Sequence, residues 1–587
     1  MAGTELKKLP VGVSDFECIR RYDSYYADKT QLITKLLDNV HPEGAVLFTR
    51  PRRFGKSLAL DMLHRFFDSN AKEENRPLFA GLAVSQSERY MAEQGKYPII
   101  HITFKDAKCL TWQVAEVVMR DMLSSIFQSY GYLLESTLLS EDEKRKLKTL
   151  RSGDANLAQF RSSLGFLCQV LHRHHGQPVV LLIDEYDVPI QSAYQNGYYD
   201  EMIDFMRAFF TAGLKDNPHL RLAVLTGVMR IAKESLFSGL NNLTVDTILQ
   251  DKYSDCFGFT QDEVTEMAAY YGKLDKLAEI KDWYDGYRFG QRDIYNPWSV
   301  LRYFSEDCLP APYWMDTSSN DLIIEFLRSL QEQQRKQIMA LYRGGTVEAS
   351  VDTAVSYQQL QICRELLSNG EQKQSDDEQG QSGKEQVQID CANTVFSLMA
   401  VSGYLKPVEA LGGDDFNLQV PNAEVNTIFA KEILRYLQSG NRVTSLHKLW
   451  RALRQGDSTT FAATLKEVLL QSASYFDGTE AFYHGFMTCL LLGLDENYKV
   501  LSNREAGLGR ADILLQPRFD KSLPGFVFEF KESKKAEGLE QLAEAALQQI
   551  AERRYAAAFP PEIKEVRCYG LAFCRKECRL RQVTIST

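Results

Sequence analysis

The chain has no apolar run approaching the eighteen or so residues that a membrane-spanning helix needs. Its first ten residues, "MAGTELKKLP", lack the apolar core of a secretory signal. These two absences predict an intracellular, cytoplasmic protein with no membrane partner. A C-x-x-C pair is also missing. The eleven cysteines are scattered, and Cys574 and Cys578 have no second pair with which to complete a zinc site. Reduced, mostly buried thiols are expected. Nor is there an excess of positive charge: 68 basic residues face 78 acidic ones, for a net charge of −10. That argues against wholesale coating of nucleic acid and leaves room for a local basic groove. The last absence is a single residue. The phosphate-loop pattern G-x-x-x-x-G-K-[ST] ends here in Gly55-Lys56-Ser57, and Arg50 stands where its first glycine would be.

A length of 587 residues predicts three or four domains, none of them an internal repeat of another. Four short apolar runs punctuate the first part: "AVLFT" (45–49), "YPIIHITF" (97–104), "PVVLLID" (178–184) and "RLAVLTG" (221–227). Long helical connections join them, the pattern of a parallel sheet covered on both faces. An α/β domain is therefore expected over 1–255, followed by a helical lid or linker over 256–365. Residues 366–388, within and around "SNGEQKQSDDEQGQSGKEQ", are polar, acidic and too poor in apolar side chains to bury a core; they read as a flexible insertion. Helix, short hairpin and helix over 389–455 would suit a winged-helix module. From 456 to 587 a helix precedes three mutually adjacent strands, a crossover helix and a fourth strand, a second small α/β unit.

Chemistry concentrates at two places. In the first, strand, tight turn and amphipathic helix are the context a phosphate loop requires. Backbone N–H groups at the helix start would face phosphates. Arg53, Phe54, Gly55, Lys56, Ser57 and Leu58 form the candidate nucleotide loop, with Lys56 reaching the β- and γ-phosphates and Ser57 ligating Mg²⁺. The strand "VVLLID" ends in Asp184-Glu185: Asp184 is a candidate Mg²⁺ partner, and Glu185 a candidate general base for the attacking water. Thr226 ends a neighbouring strand, with Arg230 just beyond; they read either as phosphate-sensing groups or as an ordinary strand-end hydroxyl and a solvated arginine. Arg50, Arg52 and Arg53 admit three readings: charge near the phosphates, contact with an acidic partner, or a solvated rim.

The second place is "FVFEFK". Side chains two apart share a strand face, so Phe526, Phe528 and Phe530 would pack inward or against the helix, leaving Glu529 and Lys531 together on the other face. A hairpin with "RADILL" could bring Asp512 beside Glu529. Two carboxylates that close repel unless a cation joins them, so Mg²⁺ is the natural guest, with Lys531 assisting a water or a developing phosphorane charge. Glu480 and His484 sit one turn apart on the upstream helix, and either could approach this cluster.

Longer stretches carry a resemblance. "PVGVSDFECIRRYDSYYADKT", "FTRPRRFGKSL", "VVLLIDEYDVPI", "LTGVMRIAKESLFSGLNNL", "WYDGYRFG", "IYNPWSVL" and "YWMDTSSN" resemble the AAA-ATPase-like family of bacterial P-loop proteins. "FYHGFMTCLLLGL" and "LSNREAGLGRADILL…FVFEFK" resemble the PD-(D/E)XK nuclease superfamily. The resemblance implies that "RPRRFGKS" is a family form of the loop. It implies that Asp512, Glu529 and Lys531 are metal and catalytic positions, that Glu480 is the helix acid and Gln549 a polar position on the later helix. The expected protein binds and hydrolyses ATP and couples it to a Mg²⁺-dependent nuclease acting on nucleic acid, DNA first. An arginine acting in trans would require a homo-oligomer. The alternatives are a nucleotide-dependent switch whose nuclease-like domain binds without cutting, and an ATPase assembly factor that needs only the first constellation.

Overall fold

The run from Ala45 is apolar up to Thr49, and it builds the buried strand β1 (Gly44–Thr49). With β2 (Ile99–Thr103), β3 (Val179–Asp184), β4 (Leu220–Gly227) and β5 (Leu243–Asp246) it forms a wholly parallel sheet in the order β2-β3-β4-β1-β5. Four of these strands are the apolar runs expected from the sequence. The fifth, "LTVD", is too short and too polar to stand out as one. Every residue of β3 is buried, as in a strand covered on both faces. Helix α1 (Phe16–Arg21) precedes the sheet, and α2 (Lys56–Phe67) leaves β1 and packs on β3.

The computed structural model describes residues 6–230, 236–237, 240–314, 337–338, 340–342, 344–357, 359–363, 391–427, 429, 442–472, 483–484, 486–487, 490–491, 497–533 and 535–586. The low-complexity segment 366–388 and Glu480 lie outside the described residues. The chain divides into two compact units, 1–331 with 346–425, and 332–345 with 426–587. Residues 256–314 thus pack into the same unit as the parallel sheet, where the sequence reading set them apart, and 389–455 is divided at Val425. No helix among the described residues is long and apolar enough to cross a membrane.

The middle of the first unit is less helical than its sequence suggests. After α3 (Gln261–Tyr270) and α4 (Leu277–Tyr284), "YRFG" turns into a hairpin of β6 (Tyr287–Phe289) and β7 (Arg292–Ile294), and α5 (Pro297–Ser305) follows. The hairpin proposed after the insertion forms as β9 (Lys406–Gly412) and β10 (Asp415–Gln419). Its sheet takes a third strand, β8 (Val347–Ser350), from before the insertion. The helix–hairpin–helix reading therefore covers only part of this sheet.

Arg50 is the residue on which the first unit's loop is built. Its side chain is fully buried. Nη2 pairs with Asp246 Oδ1 at 2.5 Å, and Nη1 donates to the carbonyls of Thr49 and Asp246 at 2.9 and 3.0 Å. Its guanidinium carbon lies 5.0 Å from the Phe289 ring centre and 5.4 Å from that of Phe257. Of the three readings open at this position, the structure selects the acidic partner, and that partner is within the chain. Burial lowers the Arg50 pKa and raises that of Asp246, while their mutual attraction opposes both shifts. The pair ties the end of β1 to the end of β5.

In the second unit, β11 (Tyr498–Ala506), β12 (Gly509–Pro517), β13 (Gly525–Glu532), β14 (Glu565–Cys574) and β15 (Glu577–Ser586) are ordered as numbered. Only β13 and β14 are parallel, and α8 (Leu539–Glu552) crosses between them, after α6 (Arg442–Gln455) and α7 (Ser458–Ser472). Three strands, helix and fourth strand are as expected; β15, rich in charge, is an addition. Phe526, Phe528 and Phe530 pack with Leu449, Leu453, Phe461 and Leu465 of α6 and α7. Val527 faces the other way, with Ile550 of α8. The aromatic face is thus the one turned away from the crossover helix.

Replacing Asp246 with alanine strands a buried guanidinium. The expected loss is about 3–5 kcal/mol of stability, read by denaturant unfolding through tryptophan emission. Four of the five tryptophans, Trp112, Trp283, Trp298 and Trp314, report on this unit. Adding Arg50→Met to Asp246→Ala should recover part of the loss, because the unpaired charge is then gone.

Candidate functional site

The carboxyl ends of parallel strands are where ligands of such sheets bind. Here those ends carry Thr49, Asp184 and Thr226. Beyond Thr49 the loop turns sharply: Arg53 has φ 70° and Gly55 φ 82°, both in the left-handed region. Glycine adopts this conformation without penalty. Arg53 does so with its guanidinium 4.3 Å from the Trp298 ring centre. Phe54 is buried in an aromatic box, with ring centres 4.9 Å from Tyr287 and 5.2 Å from Phe289, and its carbonyl accepts from Gly258 N at 3.1 Å. Any contact of Phe54 with a ligand is therefore through its backbone. Arg52 Nη2 donates to Gln191 Oε1 at 3.3 Å.

α2 begins at Lys56. The Lys56 ammonium is buried and donates to the carbonyls of Arg50 and Pro51, each at 2.9 Å. Burial lowers its pKa to about 8, against the opposing pull of Asp184, Asp187 and Glu185. Ser57 Oγ donates to Asp184 Oδ2 at 2.5 Å, and Thr226 Oγ1 donates to Asp184 Oδ1 at 2.5 Å. One carboxylate thus joins the loop, β3 and β4. Glu185 has φ 54° and lines the same cavity as Lys56 and Ser57. Burial first, then the charge of Asp184, raises its pKa.

That cavity has a volume of about 370 Å³, within the range of small-molecule sites. Arg53, Phe54, Gly55, Lys56, Ser57 and Leu58 all line it. Asp184 and Thr226 stand behind Ser57, and Arg230, half-buried, does not line it. Sequence reasoning missed the clamp that follows Asp184-Glu185. Asp187 Oδ2 accepts from Val228 N and Met229 N at 2.8 and 3.0 Å, and Tyr186 Oη donates to the Met229 carbonyl at 2.5 Å. These contacts fix the chain leading to Arg230. Their only sequence signal was membership of "DEYD".

In the second unit, β12 and β13 pair Ile513 with Phe528, so the next step along the pair brings Asp512 alongside Glu529. Asp512 Oδ2 accepts from Phe530 N at 2.7 Å. Glu529 is 3% exposed and Lys531 half-exposed on the face turned to α8. Gln549 of α8 joins them: its Nε2 donates to Glu529 Oε1, and its Oε1 accepts from Lys531 Nζ at 2.7 Å. Lys531 Nζ lies 3.7 Å from Glu529 Oε1. Gly570, the register partner of Glu529 on β14, lets the helix come this near. A Cβ there would lie 2.3 Å from the Ala543 carbonyl oxygen. His484 Nε2 is 3.0 Å from the backbone carbonyl of Asp512, supporting the strand that carries the acid. Among the described residues no group of three or more His, Cys, Asp and Glu converges as a metal cage. Asp512 and Glu529, whose Oε2 is buried without a hydrogen-bond donor, are the kind of oxygen donors that suit Mg²⁺, which is held by one or two carboxylates plus phosphate oxygens.

Residues 10–237 match the family model described as predicted AAA-ATPase, and residues 478–583 match that of the PD-(D/E)XK nuclease superfamily. The chain is also 33% identical over 331 residues to the uncharacterized protein in the vnfD 5′ region of Azotobacter chroococcum mcd 1. That similarity covers 55% of this chain and 56% of the relative, so the chain spans little more than half the length of the curated relative it matches. The chain carries an AAA-ATPase-like domain followed by a PD-(D/E)XK nuclease-superfamily domain.

Proposed function

We propose that the protein is an ATP-hydrolysing, metal-dependent nuclease that cleaves DNA under control of its nucleotide state. The observation that carries this reading is the pair of constellations in one chain: Lys56, Ser57, Asp184 and Glu185 in one unit, Asp512, Glu529 and Lys531 in the other. Mg²⁺ on the nucleotide would neutralise phosphate charge, with Ser57 and Asp184 as the hard oxygen donors that suit it. Lys56 would leave the loop carbonyls of Arg50 and Pro51 for the phosphates. Glu185 would take the proton of the attacking water, a role helped by its raised pKa. Thr226 would hold the Asp184 carboxylate in place.

At the second constellation Asp512 and Glu529 would hold the metal, which supplies Lewis-acid stabilisation of a phosphodiester undergoing attack. Lys531 would orient the water or steady the developing charge, and Gln549 would keep Lys531 and Glu529 in register. A homo-oligomer, if formed, would allow Arg230 to act on a neighbouring subunit's nucleotide.

Three measurements test the proposal. Lys56→Ala should abolish ATP binding, whereas Glu185→Gln should bind ATP and hydrolyse it about 10²–10⁴-fold more slowly. Hydrolysis at wild-type rate in Glu185→Gln would remove Glu185 from the mechanism. Because Lys56 titrates near 8, its charged form prevails below that pH and is lost above it. ATP affinity should therefore be flat up to about pH 7.5 and weaken by at most about tenfold per pH unit beyond 8, with proton uptake on binding. Plasmid and linear DNA incubated with Mg²⁺, with and without ATP, should be cut by the wild-type chain. Lys531→Ala should cut about 10²–10³-fold more slowly. DNA binding without cleavage by the wild type, unaffected by Lys531→Ala, would favour a binding switch.

A further inference from the structure

In the second unit, β11 and β12 are joined by a two-residue turn, Gly507-Leu508. Glycine at the first position suits such a turn, and here it has φ 53°. The second position puts a leucine in water: Leu508 is 67% exposed. Single apolar side chains at a surface need no explanation. Leu508 differs from such residues in how firmly it is held and in what flanks it.

The turn is fastened to the end of α8. Leu508 N donates to the Arg553 carbonyl at 2.7 Å, and Arg553 Nη1 donates back to the Leu508 carbonyl at 3.3 Å. Gly507 comes so near that a Cβ there would lie 2.2 Å from the Arg553 carbonyl oxygen and 2.5 Å from that of Arg554. On the β12 side, Tyr555 Oη donates to the Arg510 carbonyl at 2.7 Å. The same hydroxyl lies 3.5 Å from Gln549 Nε2, which donates to Glu529. These contacts tie the hairpin tip to the cluster around Glu529.

Arg510 stands two residues after Leu508, and the Arg553 guanidinium bonds to the Leu508 carbonyl, so two exposed cations flank the leucine. Glu505, across the hairpin from Arg510, and Glu552, before Arg553, keep the net charge of this corner small. A polyanion drawn by charge alone finds little here. A partner that alternates phosphates with flat apolar surfaces finds a pair of cations and a wedge between them. Stacked base pairs between two phosphate backbones have that form, and leucine is among the side chains that part base steps. Asp512 follows Leu508 on β12 by four residues, which is about 13 Å of strand or about four base steps of a duplex.

We propose that the β11–β12 turn is a wedge for duplex DNA: Leu508 enters the stack between two base pairs, and Arg510 and Arg553 hold the phosphates on either side of it. The proposal rests on the reading of Asp512, Glu529 and Lys531 as a nuclease site, and it names the form of the substrate. Parting a stacked step costs least where pairing is already faulty. The preferred substrate is therefore a duplex with a mismatched step a few base pairs from the bond to be cut.

The test uses the full chain and two short DNA duplexes, one fully paired and one with a single central mismatch, each carrying 2-aminopurine beside the central pair. Ca²⁺ replaces Mg²⁺, so that binding is read apart from cleavage. The wild type should bind the mismatched duplex at least about tenfold more tightly and raise its 2-aminopurine emission as the base unstacks. Leu508→Ala should bind the two duplexes within about twofold of each other with no rise in emission, and Leu508→Met should behave as the wild type. Arg510→Ala combined with Arg553→Ala should weaken both duplexes alike and reduce the slope of log K against log salt by about two. A wild type with neither the preference nor the rise would overturn the wedge and leave DNA binding standing, a comparison that needs no variant to fold. Persistence of both signals in Leu508→Ala would also overturn it. Binding of neither duplex by the wild type would overturn the nuclease reading along with the wedge.

Discussion

The buried pair of Arg50 and Asp246 governs the geometry of the first unit. A guanidinium out of water must keep its counter-charge and its hydrogen bonds, so Asp246 and the carbonyls of Thr49 and Asp246 cannot move away from it. That requirement holds β5 to β1 and fixes where the chain leaves the sheet. The carbonyls of Arg50 and Pro51 then point at the Lys56 ammonium. The position of the Lys56 ammonium thus depends on a side chain buried beneath the loop. The aromatic clamp on Arg50 and Phe54 comes from Phe257, Tyr287 and Phe289. Residues after the sheet are therefore part of the loop's foundation, and 256–314 belongs to the same compact unit.

The second unit solves a similar problem differently. Strand alternation separates an aromatic face, buried on α6 and α7, from a face carrying Glu529 and Lys531. A glutamate 3% exposed must be neutralised or hydrogen-bonded. Gly570 admits α8 close enough for Gln549 to do the latter, and the same amide holds Lys531. The polar cluster is therefore a product of helix packing. Its chemistry is set by β12 and β13, and its alignment by a residue of β14 that has no side chain.

Much of this was legible in the sequence, and the reasons differ residue by residue. Apolar runs of four to eight residues mark β1 to β4 because a strand covered on both faces must be apolar throughout. Gly55-Lys56-Ser57 and Asp184-Glu185 were visible because their spacing within a strand–turn–helix is local. β5 was not visible, since four residues ending in an aspartate resemble a loop until a buried arginine is found to need that aspartate. β15 was hidden by charge, because an edge strand tolerates polar side chains.

The sequence by itself determined the two constellations of polar residues and the strands that bear them, because alternation, apolar runs and turn residues act over a few neighbouring positions. Tertiary structure alone decided what Arg50 does. Its partner stands 196 residues away, and which acid reaches a buried arginine is settled by strand order and packing, which no local pattern encodes. The same holds for Gln549 with Glu529, which the packing of α8 on β13 brings together.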